Sequence, residues 1–145
     1  MSKVEDFLTQ EEEQEIVAAI CVAETNTSGE IRVHLETKTS VAAIHRAAEV
    51  FHELEMHKTK NANGILIYVA VQNKLFAICG DKGINDVVPP DFWNETKNII
   101  SNHFQRGKFK QGIIEGVLLT GEKLKLYFPH QDNDVNELPN TISKG

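Results

Sequence analysis

The stretch "GDKGIND", Gly80 to Asp86, sets two aspartates and a lysine among glycines directly after an apolar run. Carboxylate oxygens of this kind suit a hard cation, Ca²⁺ or Mg²⁺. Glycines with a lysine raise a second possibility, a phosphate cradle. Spacing excludes the P-loop form of it, which needs G-x-x-x-x-G-K-[ST] between a strand and a helix; here Lys82 precedes the second glycine. Two other polar turns carry similar residues: "TSGE" (Thr27 to Glu30) and "KNANG" (Lys60 to Gly64). If the three meet, Glu30, Asn63, Asp81 and Asp86 offer oxygen ligands beside backbone carbonyls. Clustered carboxylates repel one another, and a cation would relieve that. The plainer account stays open: Asp and Asn occupy these positions because turns favour them.

Other chemistry is sparse. No G-x-G-x-x-G, H-E-x-x-H or G-x-S-x-G occurs. "DNDVNE" (Asp132 to Glu137) begins like an EF-hand loop, but Glu137 replaces the sixth-position Gly and Ser143 the twelfth-position Glu. His45 and His52 are seven apart, too far along a helix to share a metal unaided. His57 borders the "KNANG" turn, and His103 reads as a satisfied, partly buried side chain. Cys21 and Cys79 lie in apolar segments and read as core thiols suited to a reducing compartment. Cys79, beside Gly80, is the better placed of the two to act as a nucleophile.

The elements that must position these residues follow from periodicity. "TQEEEQEIVAAICVAETN" starts with a capping box, Thr9 with Glu12. "EIRVHLE" alternates as a half-buried strand. Thr39 or Ser40 caps a second helix with an apolar stripe of Ile44, Ala47, Ala48, Phe51 and Leu54. "GILIYVAV" is continuously apolar, a strand buried on both faces. Two residues on, "KLFAIC" completes an antiparallel hairpin. Asp91 caps a third helix closed by Gly107. A last helix carries Gly112, Gly116 and Gly121, which predicts close packing on a neighbour, since glycine otherwise weakens a helix. Its end and the third helix hold Phe92, Trp93, Phe104, Phe109, Tyr127 and Phe128, read as core and edge aromatics.

This order predicts an α/β/α sandwich, three layers around a small mixed sheet, as one domain over 1–129 with a flexible C-terminal tail over 130–145. The first two strands are parallel and the third antiparallel. Their starts and its end therefore share one end of the sheet, where the three polar turns converge. The 145 residues suffice for one packed core. The net charge of −6, with 21 acidic against 15 basic residues, argues against nucleic acid as the main partner. The basic run "RGKFK" (Arg106 to Lys110) is too short to reverse this. No apolar run approaches a membrane span and the charged N-terminus is no signal peptide, so a cytoplasmic protein is expected.

"MHKTKNANGILIYVAVQNKLFAICGDKGIND", then "FW", "HFQRGKFKQGIIEGV" and "YFP", resembles the TPM-domain family, most of all its short, free-standing bacterial members. The likeness runs from about Gly29 to Pro129. It implies an α/β/α sandwich with a crevice at one end of the sheet. Related domains occur in thylakoid-lumen proteins linked to photosystem II repair, with acid phosphatase activity reported for a plant member, and divalent cations are associated with the crevice. By position, the family's "NG" matches Asn63 and Gly64. Its "GD-x-GI" matches Gly80, Asp81, Gly83 and Ile84, followed by Asp86, and its first-strand acid matches Glu30. Ala62 stands where relatives often have Arg, and Asn85 where they often have His. A phosphatase wants a cationic hold on phosphate and a proton donor, and these two departures weaken that expectation. The resemblance thus implies a Ca²⁺ or Mg²⁺ site at Asp81 and Asp86, with Glu30 and Asn63 assisting. Its occupant or neighbour would be a phosphorylated small molecule or, in a non-catalytic module, a protein segment.

Overall fold

A computed structural model describes residues 7–130 and 137–145. Most of the EF-hand-like run, Asp132 to Asn136, lies outside the described residues. Thr9 caps helix α1 (Gln10–Glu24): its hydroxyl accepts from the Glu12 N–H at 3.1 Å, and Glu12 reaches back to the Thr9 N–H at 2.9 Å. Strand β1 (Glu30–Glu36) pairs in parallel with β2 (Gly64–Ala70), Glu30 opposite Gly64. Helix α2 (Ala43–Glu53) and a 3₁₀ turn (Met56–Lys58) connect them. Strand β3 (Leu75–Gly80) returns antiparallel, Ile65 opposite Gly80. A one-turn helix α3 (Lys82–Asn85) follows, then α4 (Asn94–Gln105), α5 (Phe109–Leu124) and a short strand β4 (Ser143–Lys144) parallel to β1. The sheet order is β3-β2-β1-β4.

The layers are those of an α/β/α sandwich. Every residue of β2 is buried, which explains its unbroken apolar sequence: helices cover both faces. Ile65, Ile67 and Val69 point into one core with residues of α1, α4 and α5. Leu66, Tyr68 and Ala70 point into the other, against Ala47, Val50 and Phe51 of α2. The glycines of α5 admit its neighbours. A Cβ on Gly116 would stand 2.6 Å from Ile100 Cδ1 of α4, and one on Gly121 2.8 Å from Ala23 Cβ of α1.

Several boundaries differ from expectation. Helix α2 starts after Ala42 without a side-chain cap, because the Thr39 hydroxyl donates instead to the Val41 carbonyl. Ile44 is exposed and Val50 takes its place in the core. Helix α4 begins at Asn94, whose N–H donates to the Asp91 carbonyl rather than to the Asp91 side chain. Cys21 lies on an exposed face of α1, not in the core.

The described part of the C-terminal segment, 137–145, is no loose tail. Leu138 is buried against the α2-side core, and β4 lies along β1 with the Gly145 N–H on the Leu35 carbonyl at 2.9 Å. Its polar composition hid this, because backbone pairing and one leucine anchor it.

Candidate functional site

The three polar turns do meet. The Glu30 N–H donates to the Asn63 carbonyl at 3.2 Å, and the Asp81 N–H to the Gly64 carbonyl at 2.9 Å. Asn63, buried, uses its amide to hold the first turn, Nδ2 donating to the Ser28 carbonyl at 3.3 Å. Gly83 brings α3 against the second turn. A Cβ there would stand 2.4 Å from the Asn61 carbonyl oxygen and 2.5 Å from that of Ala62. Ala62 itself sits in the left-handed region, φ +50°, so this turn is held under mild strain.

Asp81 lies at the junction. It is the N-cap of α3, its Oδ1 accepting from the Lys82 N–H at 2.7 Å. Its other oxygen, Oδ2, is buried and has no hydrogen-bond partner among the described residues. An unpartnered buried carboxylate oxygen is costly unless something completes it. Asp86 closes the same helix one turn later and is exposed. Asn85 spends its amide on the Gly80 carbonyl at 3.0 Å. The Cys79 thiol is half-buried, and burial together with the Asp81 charge pushes its pKa up, so it is no activated nucleophile.

Glu30 is differently engaged. Its Oε1 accepts from the Leu138 N–H at 2.7 Å, beneath the C-terminal segment. Burial, with the Glu137 charge beside it, pushes its pKa up to about 6. Glu24, whose Oε2 accepts from the Ile31 N–H at 3.0 Å, is raised to about 7 by burial, with Glu30 adding to it. So the structure brings Asp81 and Asn63 into the loop junction, leaves Asp86 at its exposed margin, and commits Glu30 to the C-terminal segment. No group of three or more His, Cys, Asp or Glu side chains is placed to hold a metal among the described residues. The donors at the junction are oxygens throughout, the chemistry of a hard cation. Asp81 is the carboxylate there with an oxygen to spare.

A family model for the TPM domain matches residues 1–123. The chain belongs to the TPM-domain family. The NMR structure of the BA42 protein from the psychrophilic bacterium Bizionia argentinensis is 58% identical, covers 100% of both chains and superposes with a TM-score of 0.92. More distant likenesses share the fold. The N-terminal domain of a P. gingivalis protein (18% identity, TM-score 0.70) covers 88% of this chain and 83% of that one. The N-terminal domain of the cg2496 protein of Corynebacterium glutamicum (10%, 0.64) covers 95% and 80%. Among curated proteins none matches. In this TPM domain, no helix among the described residues is long and apolar enough to cross a membrane.

The opposite end of this TPM sheet holds a polar cluster that sequence reasoning missed. Arg46 of α2 grips the Glu36 carboxylate with two bonds, 2.9 and 2.8 Å, and the Tyr68 hydroxyl donates to it at 2.6 Å. These bonds, led by Arg46, hold the Glu36 pKa down to about 2. His34 stacks on Tyr68 and bonds Ser143 of β4 at 3.0 Å. The visible signal was Arg32, His34 and Glu36 alternating on one strand face. What it lacked was Tyr68, set opposite His34 by register.

Proposed function

We propose that this TPM-domain protein binds a divalent cation, Ca²⁺ or Mg²⁺, at the loop junction. Asp81 would be its main carboxylate ligand and Asp86 a second, reaching in from the margin. Asn63 assists by fixing the turn, and Glu30 by holding the β1 end of the junction against the C-terminal segment. The observation that carries this is the unpartnered, buried Oδ2 of Asp81. When bound, the cation would supply a Lewis acid for a phosphate oxygen, so weak phosphomonoester hydrolysis belongs to the same reading. The chain's own groups add little to turnover. Asn85 is tied to Gly80 and Cys79 is not acidic. A cytoplasmic location goes with two free thiols.

A second reading is a non-catalytic interaction module whose loops are ordered by metal. It draws on the absence of a three-ligand side-chain cluster among the described residues. Thermal unfolding with and without Ca²⁺ or Mg²⁺ tests the cation. At about a hundredfold excess over Kd a bound ion adds about 2.7 kcal/mol. Asp81→Asn should abolish that gain, and an unchanged gain would refute the assignment. Turnover of a generic phosphate ester, lost in Asp81→Asn, separates the hydrolase from the module.

A further inference from the structure

The sheet has an edge with no strand beside it among the described residues, and only its Gly80 end is met, by the Asn85 amide. β3 ends the strand order, with β2 on one side only. The bond from the Asp81 N–H to the Gly64 carbonyl sets the phase of the ladder. In an antiparallel pair, alternate residues face the partner strand. Leu75, Ala77 and Cys79 therefore turn their backbone groups to β2, while Phe76 and Ile78 turn theirs outward. No hydrogen bond among the described residues takes these groups up.

Beside this edge lies a groove of about 660 Å³, between β3 and the end of α4. Its walls include Leu75, Phe76, Phe104 and Phe109. Leu75 is 48% exposed. Phe76 and Phe109 each pack edge-on to Phe104, with ring centroids 5.5 and 5.1 Å away. The rim is basic, although the chain carries −6. Lys74 lines the groove, and Arg106 lies between its lining residues Gln105 and Gly107. Lys108 lies in a second groove of about 480 Å³ that shares Gly107 and Phe109 with the first. Lys74, Arg106 and Lys108 are exposed and make no ion pair among the described residues, whereas Lys110 is taken by Glu15 at 3.2 Å. The run "RGKFK" thus has a place in the fold: it lines the mouth of an apolar trough.

We propose that the outer edge of β3 and this groove dock an extended, acidic segment of a partner protein. The segment adds to the sheet as a fifth strand through the Phe76 and Ile78 backbone groups. It seats an apolar side chain among Phe76, Phe104 and Phe109, and its carboxylates meet the basic rim. Strand addition draws affinity from the ladder and specificity from such pockets, and charge complementarity excludes basic segments. Lysine beside an open edge also discourages pairing with a second positively charged edge.

The test uses the full chain, ¹⁵N-labelled, and the synthetic peptide Glu-Val-Glu-Phe-Glu-Val-Glu at millimolar concentration. The expected result is saturable shifts confined to Lys74–Ile78 and Phe104–Phe109, with slowed amide exchange at Phe76 and Ile78. The double variant Lys74→Glu/Lys108→Glu, at surface positions, should weaken binding about tenfold. A peptide with Lys replacing Glu should not bind, and one N-methylated on its ladder-facing amides should bind far more weakly. Absence of shifts, equal binding of the lysine peptide, or equal binding of the N-methylated peptide would each overturn the proposal. So would a concentration-dependent dimer abolished by Lys74→Glu, which would assign the edge to a second copy of this chain.

Discussion

At the scale of single residues, Asp81 commits one of its two oxygens to structure. Oδ1 caps α3 and Oδ2 is left over. That an acid stood here was legible in "GDKGIND". That half of it is spent on a cap was not, because a four-residue helix leaves no periodicity to read. Gly83 is the more demanding position. Any side chain meets two backbone carbonyls closer than 2.6 Å, and backbone cannot swing aside as a side chain can. Gly83→Ala should cost about 2–4 kcal/mol in urea unfolding, and it should weaken cation binding by lifting α3 off the "KNANG" turn. Ala62 carries the opposite sign. At φ +50°, Ala62→Gly relieves strain and should stabilise the fold by up to about 1 kcal/mol, measured in the same way.

At the scale of elements, the strands were the most readable part. Alternation marks β1, and unbroken apolarity marks β2. The glycines of α5 were legible as a packing signal, and the contact at Gly116 gives it a magnitude. Alanine normally gains about 1 kcal/mol over glycine in a helix. Here the Cβ would press on Ile100 at 2.6 Å, so Gly116→Ala should lose about 1–3 kcal/mol instead. Calorimetry of the variant decides the sign. The fourth strand could not be read, because β4 is two residues long and its partner is chosen by backbone pairing. The setting of Glu30 was hidden for the same reason. Its type and place suggested a ligand, while its actual partner, the Leu138 N–H, lies 108 residues away in sequence.

At the scale of the whole molecule, the two ends of the sheet respond to pH in opposite directions. At the junction end, Glu24 and Glu30 are raised from 4.5 to about 7 and about 6, chiefly by burial. A group raised on folding contributes stability that is complete below its unfolded pKa and is lost as pH rises through the folded value. Stability should therefore fall between about pH 4.5 and 7, by on the order of 2 kcal/mol once solvent screening of these part-exposed groups is allowed for. Glu24→Gln keeps an acceptor for the Ile31 N–H and should flatten this slope in urea titrations at several pH values. At the other end Glu36 is lowered to about 2, mainly by Arg46. Its contribution is present above about 4.5 and lost as pH falls towards 2. Arg46→Ala should remove that acid limb and leave the alkaline one. None of this coupling was legible in the sequence, since burial, which raises Glu24 and Glu30, and the strand register, which sets Tyr68 beside Glu36, exist only in the fold.

The proposed function puts a cation at the three turns. It is tested most directly by titrating Ca²⁺ and Mg²⁺ into the ¹⁵N-labelled chain and following its backbone amides. Saturable shifts should appear at Gly80–Asp86 and at 60–64, and Asp81→Asn should silence them. Amides in those two turns that stay still at saturating cation, or shifts that persist in Asp81→Asn, would contradict the account.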